Sequence, residues 1–139
     1  MNEYRISDIS LGMNESFSVT ITEEMMQKFF DITSDENPLH VNEEFARSRG
    51  FNNKVVYGML TASMISTLGG CYLPGKYCLI QGVDIKFAKP VFVGDTLEVS
   101  GEITKVDPDL KYLEIKLTVK NQRNEKVLRG SLKAGVMDA

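Results

Sequence analysis

The only histidine of the chain, His40, stands five residues after Asp35 in the stretch "SDENPLHVNEEF". A carboxylate and an imidazole can divide proton transfer at neutral pH, because their environments tune their proton affinities apart. Pro38 lies between them; it fixes its own φ and pushes Asn37 toward extended backbone. Such a bend could turn both side chains toward one pocket. A plain connector fits the same residues, since Asp is a common turn former and a single loop histidine is commonly structural. From these residues alone both readings stand.

The flanking pattern says what must hold them. "SFSVTIT", Ser16 to Thr22, alternates and is rich in β-formers, so it reads as a strand. A helical period follows. Thr22 is a candidate N-cap, Glu23 and Glu24 suit the first turn, and Met25, Met26, Phe29, Phe30 and Ile32 form a stripe expected to be core. "SDENPL" ends that helix. A short helix is expected in "NEEFARSRG", capped by Asn42 and closed by Gly50, with "FNNK" as a loop.

The next helix, from about Gly58 to Leu68, has an unusual surface. Met59, Leu60, Ala62, Met64, Ile65 and Leu68 are apolar, and Thr61, Ser63, Ser66 and Thr67 are small. No charged residue lies between Lys54 and Lys76. A helix apolar or small all round is expected to be buried on most sides. The second half supplies a wrapper: "LIQGVDIKFAKPVFV", "DTLEVSGEITKVD", "KYLEIKLTVKNQ" and "KVLRGSLKAGVM" read as strands, with a tight corner at "FVGD". The expected class is α+β, an antiparallel β-sheet curled around one central α-helix.

Composition narrows the function. The 139 residues suit one domain, 1–139. A net charge of −3 and the absence of tryptophan and of a basic tract argue against nucleic acid or an anionic membrane as partner. Cys71 and Cys78 are too few for a disulfide framework and read as reduced, partly buried thiols. "MNEYRISDIS" has no basic segment followed by an apolar one, so a cytoplasmic protein is expected. One histidine and scattered carboxylates do not form a metal-ligand set, and no glycine-rich phosphate loop is visible.

Three elements in register carry a family resemblance: Asp35-x-Asn37-Pro38-x-His40, the helix "EEFARSRGF", and the step Tyr57-Gly58-Met59-Leu60 into the apolar helix. With "FAKPVFVGDTL" further on, the sequence resembles the MaoC-like dehydratases, and within them the short, single-domain (R)-specific enoyl-CoA hydratases. The resemblance implies a hot-dog fold, a sheet wrapped around a long central helix. It implies Asp35 and His40 as the catalytic pair and the Gly58 backbone amide as oxyanion donor. It places Ser66, Tyr57 and Asn37 near the substrate. It implies no cofactor, a thioester of coenzyme A or acyl carrier protein as substrate, and a homodimer. Hydration of a 2-enoyl thioester needs a base for water, a proton for C2 and a donor to the enolate oxygen.

Two other activities stay open at this level: a hot-dog thioesterase, which uses a carboxylate to activate water, and a non-catalytic acyl-thioester-binding subunit. Tyr57 departs from the family, where histidine commonly precedes the glycine, and Asn53 and Lys54 replace a proline-containing approach. Lys86 and Lys89 could meet coenzyme A phosphates, though solvated surface lysines are the simpler reading.

Overall fold

In the last three strands every second residue is apolar, and those residues are the ones taken out of water. Leu113, Ile115, Leu117 and Val119 are all fully buried, and Leu97, Val99 and Ile103 stack beside them. Burial of each such side chain stabilises the fold by about 1.5–3 kcal/mol. The computed structural model describes residues 1–138. It has strands β1 (Asn14–Thr20), β2 (Cys78–Phe87), β3 (Thr96–Asp107), β4 (Tyr112–Lys120) and β5 (Lys126–Val136). They form one antiparallel sheet in the order β1-β3-β4-β5-β2. Its edges are β1 and β2.

The helices are α1 (Glu23–Thr33), α2 (Pro38–Val41), α3 (Glu43–Ser48) and α4 (Gly58–Thr67). A single π-type turn, Leu68–Tyr72, prolongs α4. The helix lies on the apolar face of the sheet, and Gly101 is what lets it come close. A Cβ at Gly101 would stand 2.9 Å from Leu68 Cδ2 and 2.8 Å from Ile115 Cγ2. A side chain there would force the Leu68 and Ile115 side chains to shift. Among the described residues no helix is long and apolar enough to cross a membrane.

The expected α+β architecture is present: a sheet against a central helix. Thr22 caps α1 by accepting from the Met25 amide, and Asn42 caps α3 by accepting from the Phe45 amide. Two expectations need correction. The first strand is Asn14–Thr20, ending two residues earlier than read. Ile32 is 82% exposed, although it belongs to the apolar stripe of α1. At 100° per residue it stands about 120° around the helix from the buried Met26, at the margin of the stripe. The expectation that α4 is buried on most sides holds, with one narrow strip left open. Leu60, Thr61, Ala62 and Ile65 are buried, while Met59, Ser63 and Ser66 are exposed.

Candidate active site

The bend that carries Asp35 and His40 is built from its own side chains. Ser34 ends α1 in the left-handed region (φ 57), and its N–H donates to the Phe30 carbonyl at 2.7 Å. The Asp35 Oδ1 then accepts from the Asn37 amide at 3.1 Å, and the Asn37 Oδ1 accepts from the Leu39 amide at 2.9 Å. These two local turns, with Pro38 at the first helical position, convert the stretch into the short helix α2. His40 is therefore helical rather than a loop residue. Asn37 uses its side-chain oxygen to cap α2 and is not among the residues that line the cavity described below.

His40 is held from one side. Its Nδ1 lies 2.7 Å from the Val55 carbonyl oxygen, and the Val55 amide donates to the Leu39 carbonyl at 3.0 Å. A carbonyl can only accept, so neutral His40 carries its proton on Nδ1 and presents Nε2 as a lone pair. The ring is half-buried. Asp35 is exposed, and its Oδ2 makes no hydrogen bond among the described residues.

Beneath the pair lies Tyr57, which is 2% exposed. Its ring centroid is 4.4 Å from that of His40 and 4.8 Å from that of Phe29. Its hydroxyl donates to the Asp35 backbone carbonyl at 2.7 Å. Burial, and then the Asp35 charge, raise its pKa above the ordinary phenol value, so it stays a neutral donor. The tyrosine thus ties the carbonyl of Asp35 and supports the ring of His40. It acts on the site through those residues and also lines the cavity beside them.

A cavity of about 790 Å³ opens beside these groups. Asp35, His40, Tyr57, Gly58 and Ser66 all line it. On one wall run Gly58, Met59, Ala62, Ser63 and Ser66 of α4; on the other, Ile80, Val83, Ile85 and Phe87 of β2. From Gly58 to Ser66 the helical wall is about 12 Å long. Gly58 is the first residue of α4, and its N–H finds no acceptor among the described residues. That unpaired amide lies at the positive end of the helix dipole, where a carbonyl or enolate oxygen would be welcome. The Phe87 ring packs on the bare Cα of Gly58, since a Cβ there would stand 3.1 Å from the ring.

Sequence reading missed the β2 wall, Phe29 and Thr33. The wall has no motif; its inward alternation is visible only once strand and helix are paired. Lys89 is 2.6 Å from Glu125, in an ion pair that also draws in Arg123, and the Glu125 carboxyl is pulled down to about 2 by Lys89 first and Arg123 second. Lys86 sits opposite Arg129 on strands β2 and β5. Cys71 and Cys78 are free thiols, both half-buried, and burial pushes Cys78 up to about 11. Among the described residues no cluster of three or more His, Cys, Asp or Glu could hold a metal ion.

The chain is similar to several known proteins. An (R)-specific enoyl-CoA hydratase of Rhodospirillum rubrum is 34% identical over 111 residues, 80% of this chain and 77% of that protein. An unliganded R-hydratase of Pseudomonas aeruginosa superposes with a TM-score of 0.90 at 25% identity, covering 97% of this chain and 86% of the other. An (R)-hydratase of A. caviae superposes with a TM-score of 0.87 at 29% identity, covering 92% and 97%. The sheet-and-helix architecture is therefore the hot-dog fold of these hydratases. The family model for the MaoC like domain matches residues 9–126, a span that takes in the Asp35–His40 bend, Tyr57, Gly58 and the β2 wall, and with it the chain belongs to the MaoC-like dehydratase family.

Proposed function

We propose that the chain is a hydro-lyase that adds water to a 2-enoyl thioester, or removes it from a 3-hydroxyacyl thioester. One observation carries the reading. The Val55 carbonyl holds the His40 proton on Nδ1, so that Nε2 is a free base in the same cavity as Asp35 and the unpaired Gly58 amide. A water between Nε2 and the Asp35 carboxylate loses a proton to this pair while its oxygen bonds to C3. The C2–C3 π electrons move toward the thioester, and the Gly58 N–H takes the enolate oxygen. The enolate collapses as the pair returns one proton to C2. Net, OH joins C3 and H joins C2, and the pair ends as it began. Both additions come from the one wall where Asp35 and His40 stand, so the scheme gives syn addition. The chain itself supplies every group in this scheme, so it calls for no cofactor.

The substrate is a thioester of coenzyme A or of acyl carrier protein. The relative named (R)-specific enoyl-CoA hydratase supports the former. A homodimer fits the same picture. Met59 on α4 is 64% exposed, and Leu79, Val83 and Phe87 on the edge strand β2 are also exposed. A second copy would cover both the edge and this apolar strip. The half-buried free thiols suit a reducing compartment, and we place the protein in the cytoplasm.

The test is spectrophotometric loss of the enoyl chromophore with crotonyl-CoA and longer 2-enoyl-CoAs. Activity that disappears in both Asp35→Asn and His40→Ala supports the reading. A wild-type protein inert toward every enoyl thioester, but hydrolysing saturated ones, would be a thioesterase instead.

A further inference from the structure

Packing does not fix the bend that carries Asp35. Every residue from Asp31 to Pro38 is exposed, so the stretch is held by hydrogen bonds and by the ring of Pro38. Three of the bonds repeat one pattern. The Asp35 N–H donates to Thr33 Oγ1 at 3.2 Å, the Asn37 N–H to Asp35 Oδ1 at 3.1 Å, and the Leu39 N–H to Asn37 Oδ1 at 2.9 Å. Each side chain takes the amide two residues on, and Thr33 is the first link. It is also the link to the helix, since its hydroxyl donates to the Phe29 carbonyl at 2.8 Å. That back-bond is ordinary for a helical threonine. The second bond is not, because an amide inside a helix turns to the carbonyl four residues before it. By Asp35, α1 has ended, and the Asp35 N–H has no other acceptor among the described residues.

We infer that Thr33 is a positioning residue for Asp35: its hydroxyl ties the end of α1 to the Asp35 backbone and so holds the carboxylate at the cavity. Asp35 is gripped on both of its backbone groups. Thr33 Oγ1 takes its N–H, and its carbonyl takes the Tyr57 hydroxyl at 2.7 Å. The two grips meet again at Phe29, whose carbonyl anchors Thr33 and whose ring centroid lies 4.8 Å from that of Tyr57. The contacts thus close on themselves, from Phe29 through Thr33 and Asp35 to Tyr57. With N–H and C=O both held, the direction in which the Asp35 side chain leaves the backbone is set. The bond from the Asn37 amide to Oδ1 then limits rotation of the carboxylate and leaves Oδ2 open. The backbone between Thr33 and Asp35 passes through Ser34 at φ 57, a conformation that an L side chain adopts at a cost. Such a conformation persists where bonds on either side enforce it, and the Thr33 hydroxyl supplies one of them. Valine has the same branched outline and can make neither bond. The kinetic consequence rests on the function proposed above, because a carboxylate that shares a water with His40 works only while it is kept in place.

The experiment compares wild type, Thr33→Val and Thr33→Ser in two measurements. One is hydration of crotonyl-CoA and of 2-octenoyl-CoA. The other is hydrogen exchange at the Asp35 amide, followed by NMR without any substrate. Thr33→Val is expected to lower kcat roughly three- to tenfold, the worth of one hydrogen bond, by the same factor on both substrates and with KM little changed. Exchange at the Asp35 amide should quicken by a similar factor. Thr33→Ser keeps the hydroxyl and should restore both. A kcat that Thr33→Val leaves unaltered, or that Thr33→Ser fails to restore, overturns the inference and leaves the hydratase reading intact. A loss confined to KM, or one that grows with chain length, also overturns it and makes Thr33 part of the wall that meets the acyl chain. If wild type hydrates neither thioester, the hydratase reading falls on its own. The exchange measurement then still decides whether Thr33 holds Asp35, and equal exchange in wild type and Thr33→Val would refute that hold.

Discussion

The two faces of α4 are made of similar residues and do different work. One side carries Leu60, Thr61 and Ile65, all at most 7% exposed, with Ile65 also reaching the cavity at the margin between the two sides. The other carries Met59, Ser63 and Ser66, exposed along the wall of the main cavity. Neither face bears a charge. What separates them is the neighbour: close-packed core on one side, and on the other a cavity walled by β2 and closed at its end by Asp35, His40 and Tyr57. Small and apolar residues serve both, because a substrate chain asks of a wall what a core asks of its members. The site's polarity comes from the bend and the helix start.

The contrast can be broken at several strengths. The largest effect is expected on the cavity side without loss of fold. His40→Ala should lower kcat by about 10²–10⁴-fold, with thermal stability close to wild type. If unfolding and inactivity come together, the bend is part of the core after all. On the sheet side, Ile65→Ala should destabilise by about 2–5 kcal/mol in denaturant titrations, through lost burial and the space left behind. Ser66→Ala, one residue further on the open side, should stay within about 0.5 kcal/mol. Equal penalties at the two positions would erase the distinction between the faces.

Tyr57 tests the boundary between them. Tyr57→Phe removes the hydrogen bond to the Asp35 carbonyl and keeps the ring under His40. A drop in kcat of roughly three- to tenfold with KM little changed is expected, matching the loss of one hydrogen bond that positions the pair. A change in KM alone would instead put the phenol on the substrate.

The smallest effect lies away from both faces. Glu125 has its carboxyl held down to about 2 by Lys89 and Arg123, from an ordinary value of 4.5. A lowered folded pKa means stability that is present above about pH 4.5 and is lost as pH falls toward 2. Melting curves over that window should fall less steeply for Glu125→Gln than for wild type, while activity at neutral pH is unaltered. Parallel curves for the two proteins would show that the ion pair adds nothing.

Much of the fold was legible because its signals are local. Alternation in β3, β4 and β5 shows one apolar face, and Thr22 and Asn42 announce helix starts through a hydrogen bond within three residues. The candidate pair was legible for the same reason, since Asp35, Asn37, Pro38 and His40 shape one bend. Ile32 misled because periodicity marks a stripe without saying how wide the covered part is. The role of Asn37 was less legible, because the motif that contains it does not separate residues that hold the bend from residues that face a ligand.

By itself, the sequence determined the elements, the bend and the chemistry available at it, since these rest on side-chain type and short-range hydrogen bonds. Only the tertiary structure decided which way that chemistry faces. The Val55 carbonyl that selects the His40 tautomer lies fifteen residues away, the Asp35 carbonyl that takes the Tyr57 hydroxyl lies twenty-two away, and the β2 wall belongs to another part of the chain. Contacts of that separation depend on how the helix seats on the sheet. That seating follows from burying apolar area and from the close approach allowed at Gly101, which no local pattern encodes.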